Sequence, residues 1–168
     1  MRIFLLSDSH FGHDRMIEYC GRPENFNEKI YINLIRMIED DDILIHLGDV
    51  CMKNDLNNHN KYIKPLRCRK WLVRGNHDRK SNSWYLDNGW DFVCEKFDGI
   101  YFGERILFSH FPQPNGDYKY NIFGHFHNNE LEKCEQEYVK RMIKGKHKCF
   151  VLENLKYEPV LLERFLKL

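Results

Sequence analysis

The stretch Trp71-Leu72-Val73-Arg74-Gly75-Asn76-His77-Asp78 joins an apolar run to a polar turn. The run is short and includes a β-branched residue, and Gly75 interrupts it, which predicts a buried strand that ends near Val73. An amide, an imidazole and a carboxylate follow immediately. In α/β sheets the carboxyl ends of strands border the crevice in which ligands bind. The turn is therefore a candidate site, although a plain polar turn could also contain a histidine.

Length and charge restrict the class of protein. The chain has 168 residues and a formal net charge of +1. This length predicts a single domain, residues 1–168, with a proper core. Hydrophobic residues make up 42 % and charged residues 30 %, which is ordinary for a globular protein. Because the net charge is so small, no overall field directs the chain to nucleic acid or to an anionic membrane.

The cysteines and the amino terminus indicate the compartment. Six cysteines are scattered through the chain without a C-x-x-C pair, so we expect free thiols in a reducing environment. The apolar run Ile3-Phe4-Leu5-Leu6 is too short for a signal peptide, and no segment approaches a membrane span. We therefore expect a cytoplasmic protein without a membrane partner.

A second turn of the same kind follows the first predicted strand, Arg2–Leu6. Asp8 and His10 come directly after it, and the period of two in an extended chain places both side chains on one side. A carboxylate oxygen with an imidazole nitrogen suits Mn, Fe, Zn or Ni rather than Ca or Mg alone. The alternative is an ordinary strand-end turn in which Asp8 caps a helix.

Three further predicted strands end in potential ligands. The ends are Gly48-Asp49 after Ile43–Leu47, Ser109-His110 after Arg105–Phe108, and Gly124-His125-Phe126-His127 after Asn121–Phe123. In the last of these, the period of two again directs both imidazoles the same way. His46 lies inside its strand, so we expect a hydrogen-bonded core histidine there.

The remaining elements follow from periodicity. Helices are predicted at Pro23–Asp40, with an apolar face at Ile30, Leu34, Met37 and Ile38, and at Asp55–Leu66, Ser81–Asn88 and Glu130–Lys144. In the last of these, Asn129 and Glu132 resemble a capping box, and we expect a connecting helix near the mouth of the crevice. The run Asp40-Asp41-Asp42 and the side chain of His59 are expected to face solvent.

The second half of the chain predicts a second sheet. Short β-rich runs at Trp90–Cys94, Ile100–Phe102 and Arg105–Phe108, separated by Asp98-Gly99 and Gly103-Glu104, predict its hairpins. The chain should finish with a strand around Cys149–Leu152 and an apolar tail, Val160–Leu168, of helical character.

In chain order the strand-end residues form the pattern D-x-H, G-D, G-N-H-D, H and G-H-x-H. With these blocks the sequence resembles the calcineurin-like metallophosphoesterases from Ser7 to about His127. The opening Asp8-Ser9-His10-Phe11-Gly12-His13 and the small size are similar to the minimal phosphoesterases of bacteria and their phages. The Asp-Arg-Gly extension of protein phosphatases is missing, because Gly48-Asp49 continues as Val50-Cys51-Met52. This departure argues against a protein phosphatase.

The resemblance implies an α/β fold, a four-layer sandwich of two mixed β-sheets flanked by helices. It also implies two divalent metal ions, with Mn first and Fe, Zn or Ni as alternatives. One metal would be held by Asp8, His10, Asp49 and His127, and the other by Asp49, Asn76, His110 and His125, so that Asp49 bridges them.

The implied activity is hydrolysis of a small phosphodiester or phosphomonoester, with nucleotides among the candidates. A hydroxide activated by both metals would attack phosphorus, and His77, which matches the family's catalytic imidazole, would act as general acid. Asp49 and Asn76 complete the catalytic set. Candidate phosphate contacts are His13 first, then Arg22, Arg74 and Arg79.

Two alternative functions have less support from the sequence. A nuclease of the same superfamily would act on long nucleic acid, but the sequence carries no basic stripe interleaved with aromatic residues. A non-catalytic protein-binding scaffold would have lost site residues, whereas all of the blocks are intact here. The substrate, the native metal and the oligomeric state are left open by the sequence.

Overall fold

The computed structural model describes the backbone of residues 1–129 and 133–168, and the side chains of 1–129 and 135–168. The strands are β1 (Ile3–Leu6), β2 (Ile43–His46), β3 (Arg69–Val73), β4 (Phe92–Cys94), β5 (Lys96–Tyr101), β6 (Glu104–Ser109), β7 (Tyr120–Phe123), β8 (His147–Cys149) and β9 (Val160–Leu161). The α-helices are α1 (Met16–Cys20), α2 (Phe26–Met37), α3 (Asp55–Asn58), α4 (Asn82–Asp87), α5 (Lys133–Arg141) and α6 (Leu162–Leu166). A π-helical turn, His59–Ile63, extends α3, and a 3-10 turn covers Leu152–Leu155.

The strands form two mixed sheets, which confirms the predicted fold class. The first sheet has the spatial order β4-β3-β2-β1-β9, in which β1 to β4 are parallel and β9 is antiparallel to β1. The second has the order β5-β6-β7-β8, in which only β5 runs antiparallel to its neighbour. The carboxyl ends of the parallel strands therefore gather at one edge of each sheet.

The core forms because the central strands are apolar on both faces. Leu5, Leu44 and Leu72 of the first sheet are fully buried, and so are Phe108 and Ile122 of the second. These side chains belong to one cluster that contains residues of both sheets. The two sheets thus share a packed interior, which fixes the position of one set of strand ends relative to the other.

The helices largely follow the predicted pattern. In α2, Ile30 and Leu34 are fully buried, as expected from the apolar face. The α4 helix begins as expected after Ser81, whose hydroxyl accepts a hydrogen bond from the Trp84 N–H at 3.1 Å. The predicted capping box before α5 involves residue 132, which lies outside the described residues.

Three predictions in the second half of the chain were wrong. The run at Phe92–Cys94 pairs in parallel with β3 and belongs to the first sheet, and Asp98-Gly99 lies inside β5 instead of forming a turn. Leu152–Leu155 is a 3-10 turn, so the strand predicted up to Leu152 ends at Cys149. A short β-rich run predicts that a strand forms, but which strand it pairs with depends on how the other strands pack.

Two residues expected at the surface are buried. His59 is 1 % exposed, and its ring lies against Trp84, Tyr85 and Trp90 while Nδ1 contacts the Asp55 carbonyl at 2.8 Å. Asp42 is 1 % exposed because its carboxylate accepts hydrogen bonds from the Arg2 guanidinium, the shortest at 2.6 Å.

Two further expectations concern thiols and membranes. Within the described side chains the cysteines are free thiols, as predicted, namely Cys20, Cys51, Cys68, Cys94 and Cys149. Over the same part of the chain, every helix is too short or too polar to cross a bilayer.

Candidate metal centre

The predicted ligands meet where the carboxyl ends of the two sheets converge. Asp49 Oδ2 lies 3.8 Å from His10 Nε2 and 3.5 Å from His110 Nε2, so its carboxylate stands between residues from both sheets. Asn76 Oδ1 lies 3.0 Å from His110 Nε2. The strand-end arrangement predicted from the sequence therefore exists as one constellation in the folded chain.

The constellation divides into two groups of donors. Asp8, His10 and His127 each offer a ligand atom within 4.8 Å of the others, and so do Asp49, His110 and His125. Asp49 Oδ2 is also close to His10 of the first group, as a bridging residue should be. Each group contains three of the four residues in one of the ligand sets that the resemblance implies.

Unpaired polar atoms test whether cations fit. Asp8 Oδ1 and His10 Nδ1 are buried and have no hydrogen-bond partner among the described residues. A buried carboxylate oxygen without a donor carries a large desolvation cost, which a nearby cation would offset. Oxygen and imidazole donors together suit Mn, Fe, Zn or Ni. The residues present therefore fit divalent metals.

The backbone around the ligands is held in uncommon conformations. Asp8, His10, Asp49 and His125 have φ values of 52°, 48°, 57° and 70°, in the left-handed region that non-glycine residues rarely adopt. Such conformations persist only where the surrounding structure enforces them, and they cluster at functional sites. Hydrogen bonds supply the enforcement here, since the Asp8 N–H donates to the Gly48 carbonyl at 2.9 Å and the His125 N–H donates to Asp8 Oδ2 at 2.9 Å.

Comparison with known proteins agrees with this geometry. The sequence model of the calcineurin-like phosphoesterase family matches residues 1–152, which is most of the chain. The chain belongs to the calcineurin-like phosphoesterases.

Two similar proteins span the phosphoesterase nearly end to end, and a third matches part of it. The uncharacterized protein MJ1445 of Methanocaldococcus jannaschii is 32 % identical over 178 aligned residues, which cover 99 % of this chain and 90 % of the relative. The crystal structure of AQ665 from Aquifex aeolicus, a protein of unknown function, superposes with a TM-score of 0.74 and 26 % identity over 99 % of this chain and 98 % of that one. Nuclease MPE of Pseudomonas putida gives a TM-score of 0.48 and 21 % identity, over 74 % of this chain and 60 % of that chain.

Electrostatics in the phosphoesterase site follow from burial and from Asp49. Burial by itself would raise the pKa of Asp49, but the hydrogen bond and charge of His110 hold it well below its usual range. In return, although burial opposes it, the contact with Asp49 raises the pKa of His110 to about 9. Burial lowers the pKa of His125 to about 4 and that of His10 well below its ordinary value. Both of these imidazoles are thus neutral, which is the form that binds metals, whereas His110 must lose a proton to bind one.

Asp78 fastens two of the site's turns together. Its carboxylate accepts hydrogen bonds from the backbone N–H groups of Asp49 at 2.7 Å, Gly75 at 2.8 Å and Val50 at 3.1 Å. Asp78 directly follows His77 in the sequence, which makes it a candidate to orient the His77 ring. Both Asp78 carboxylate oxygens bind backbone N–H groups, and His77 Nδ1 has no hydrogen-bond partner among the described residues. Asp78 therefore holds the turns and does not hydrogen-bond the His77 ring.

His77 faces a cavity beside the metal ligands. Its side chain is 27 % exposed, and Nε2 lies 3.9 Å from Asp49 Oδ2. The cavity has a volume of about 330 Å³ and is also lined by His13, Arg15 and Tyr19. A substrate could therefore reach His77 and His13 from solvent. A second cavity, of about 340 Å³, adjoins Asn76 and His110 on the side lined by Arg74.

The arginines differ in their positions. Arg22 was expected to contact phosphate, but its side chain is 0 % exposed and is bound by Glu153 and two backbone carbonyls, so the structure excludes it from direct substrate contact. Arg74 Nη2 contacts Glu95 at 3.2 Å beside the second cavity. Arg79 is exposed at the surface, and its Nε donates a long bond of 3.4 Å to the Asn76 carbonyl. Arg74 and Arg79 stay predictions.

Two acidic residues near the centre were missed by sequence reasoning. Glu135 of α5 lies 3.5 Å from His125 Nε2, which places that helix over the site. Glu153 lies 3.1 Å from His127 Nδ1. Glu153 directly follows the strand that the sequence predicts around Cys149–Leu152, so the rule that strand ends carry site residues could have identified it. No local pattern signals Glu135.

His46 behaves as predicted. It is fully buried, its Nδ1 accepts the Gly48 N–H at 3.2 Å, and its Nε2 lies 2.9 Å from the Ser9 hydroxyl. The Ser9 hydroxyl donates in turn to the Val50 carbonyl at 2.9 Å. Through these hydrogen bonds, His46 helps to hold the loops that carry Asp8 and Asp49.

Proposed function

We propose that this phosphoesterase hydrolyses a small phosphodiester or phosphomonoester, such as a nucleotide, with two divalent metal ions, Mn²⁺ first among them. Residues 1–168 act as one domain. The observation that carries the proposal is the juxtaposition of two donor groups through the Asp49 carboxylate, next to a cavity that His77 lines.

Asp8, His10, Asp49 and His127 would hold one ion, and Asp49, Asn76, His110 and His125 would hold the other. When bound, such a pair supplies Lewis acidity, lowers the pKa of a coordinated water and neutralises charge on the phosphoryl group. Asp8 and Asp49 are the only carboxylates in this ligand set. With two divalent ions bound, the ligand set itself would carry a net positive charge, which would favour an anionic substrate.

The chain's own groups carry out the remaining tasks. His77 is partly exposed at the cavity, so it can donate a proton to the departing ester oxygen, a role worth roughly 10²–10⁴ in rate. His13 lines the same cavity and can contact a phosphoryl oxygen. Asn76 and Asp49 keep their positions because Asp78 binds the turns in which they lie.

A substrate screen tests the proposal. Purified protein supplemented with Mn²⁺ is assayed against phosphomonoesters, cyclic nucleotides, small diesters and oligonucleotides, with the chelated protein as the blank. We expect Mn²⁺-dependent hydrolysis of at least one small ester. Hydrolysis of oligonucleotides alone, with an affinity that falls as salt rises, would favour the nuclease instead.

The matched variant is His77→Ala. We expect it to bind two Mn²⁺ ions per chain as the wild type does and to lose roughly 10²–10⁴ in turnover. Equal turnover in both proteins would remove His77 from the reaction.

A further inference from the structure

A buried ion pair between Arg22 and Glu153 lies beside the candidate metal centre. Glu153 Oε1 accepts hydrogen bonds from Arg22 Nε at 2.9 Å and from Arg22 Nη2 at 2.6 Å. The Arg22 side chain is 0 % exposed and that of Glu153 is 3 % exposed. Because desolvation offsets much of the attraction in such a pair, a buried ion pair is by itself weak evidence for a role in stability. The pair therefore calls for an explanation other than stability.

The same guanidinium also binds the loop that presents Asp8 and His10. Nη2 donates to the Asp8 carbonyl at 2.7 Å, and Nη1 donates to the Ser9 carbonyl at 2.9 Å. These carbonyls belong to the turn that presents Asp8 and His10, whose left-handed backbone needs such support. One guanidinium thus fixes the loop and the carboxylate of Glu153 relative to each other.

The same carboxylate oxygen faces a ligand from the second sheet. Glu153 Oε1 lies 3.1 Å from His127 Nδ1. With Nδ1 engaged there, Nε2 is the nitrogen left for the donor group that His127 shares with Asp8 and His10. A carboxylate on the outer nitrogen of a histidine fixes the tautomer and ring orientation and makes the inner nitrogen a better ligand.

We propose that Glu153, held by Arg22, is a positioning residue that orients His127 toward the ion bound by Asp8 and His10. This inference rests on the proposed function for the presence of that ion. It also explains why Arg22 is buried: the arginine sets the geometry of the metal centre and does not contact substrate.

Metal binding provides the test. Mn²⁺ is titrated calorimetrically into metal-free wild type, Glu153→Ala and the control Asp42→Ala. The control removes another buried carboxylate that is bound by an arginine, Arg2, away from the site. Mn²⁺ is chosen over Zn²⁺ because Cys20, His127 and Glu153 also lie within 4.8 Å of one another, and a thiol-containing set would attract the softer ion.

We expect Glu153→Ala to weaken one of two Mn²⁺ sites about 10–100-fold and to leave the other unchanged. The Asp42 variant should lose stability and keep both affinities. Glu153→Gln keeps an oxygen at the Oε1 position, and the amide nitrogen replaces Oε2, an atom without a partner among the described residues. This variant should fold and lose less affinity than the alanine variant, and it serves as the test if Glu153→Ala does not fold.

Results that contradict the positioning role differ from results that contradict the proposed function. Wild-type affinity at both sites in folded Glu153→Ala, or equal losses in the Glu153 and Asp42 variants, would overturn the positioning role and leave the proposed function intact. If Glu153→Ala does not fold, wild-type affinity at both sites in Glu153→Gln overturns it. If the wild type binds two Mn²⁺ ions but hydrolyses no ester, the proposed function is wrong. In that case, weakening of only one Mn²⁺ site in Glu153→Ala would still support the positioning role. A wild type that binds no Mn²⁺ would overturn both.

Discussion

A methyl group added at Gly75 should disable the metal centre without unfolding the chain. A Cβ atom there would overlap the Asp49 carboxylate and would lie 2.7 Å from the Asp49 backbone nitrogen. Ordinary contact begins near 3.4 Å, so the Gly75 and Asp49 turns must separate by at least about 0.7 Å. The turn is buried and bound by Asp78, so it cannot move freely.

The size of the effect follows from these distances. Overpacking of this kind costs about 1–3 kcal/mol in the free energy of unfolding, and at this length each kcal/mol lowers Tm by roughly 2–4 °C. A displacement approaching 1 Å in a catalytic group costs about 10² in rate. We therefore expect Gly75→Ala to lose roughly 10² in kcat/KM and several degrees in Tm, with weaker Mn²⁺ binding because Asp49 serves both ions.

The assay compares hydrolysis of a chromogenic diester, calorimetric Mn²⁺ binding and thermal unfolding. Gly116→Ala is the control, because a Cβ atom there meets mainly the ring of Tyr118, at 3.1 Å, in an exposed loop. If Gly75→Ala folds, binds Mn²⁺ and turns over substrate as Gly116→Ala does, the close approach between Gly75 and Asp49 does not hold the centre in place.

Three more predictions concern Asp78, metal binding and the Arg2–Asp42 pair. Asp78→Ala leaves three backbone N–H groups without their acceptor, so the free energy of unfolding measured by urea titration should fall by at least about 2 kcal/mol. Mn²⁺ binding should also weaken. Unchanged stability would refute the role of Asp78 in holding the two turns together. Mn²⁺ added at a concentration a hundredfold above Kd should stabilise the metal-free protein by about 2.7 kcal/mol per site, which a rise in Tm would report. An unchanged Tm would contradict a metal site. The hydrogen bond from Arg2 lowers the pKa of Asp42 to about 2 from an ordinary 3.8, so stability from this pair is complete above pH 3.8 and is lost as pH falls toward 2. Asp42→Asn should flatten the urea-measured pH dependence in that window, and an unchanged slope would assign the acid sensitivity to other groups.

The sequence was most informative where chemistry and periodicity coincide. A buried strand followed at once by Asp, Asn or His is visible in the order of residues, so the sequence alone places Asp8, Asp49, Asn76, His110 and His125 at strand ends. The same reasoning failed for Phe92–Cys94, which forms a strand as expected but pairs with β3 in the first sheet. Pairing depends on which edge lies open after the other strands have packed.

Three polar residues that the sequence suggested were exposed are buried because the fold supplies contact partners for them. Arg22, Asp42 and His59 are polar, and polar residues are usually exposed, so their sequence positions suggest the surface. Each is buried because a partner distant in the chain, or a pocket of aromatic rings, receives it: Glu153 for Arg22, Arg2 for Asp42 and Trp90 among the rings around His59. Such pairings are set by tertiary packing, and local spacing carries no trace of them.

By itself the sequence determined the kinds of ligand atoms, the strands that deliver them and the family to which the chain belongs. The tertiary structure decided which atoms meet: that Asp49 stands between His10 and His110, that Asp78 fastens turns instead of orienting His77, and that Glu153 stands behind His127. The physical reason is that strand ends are local features, whereas the distances between them arise only when two sheets pack around one core.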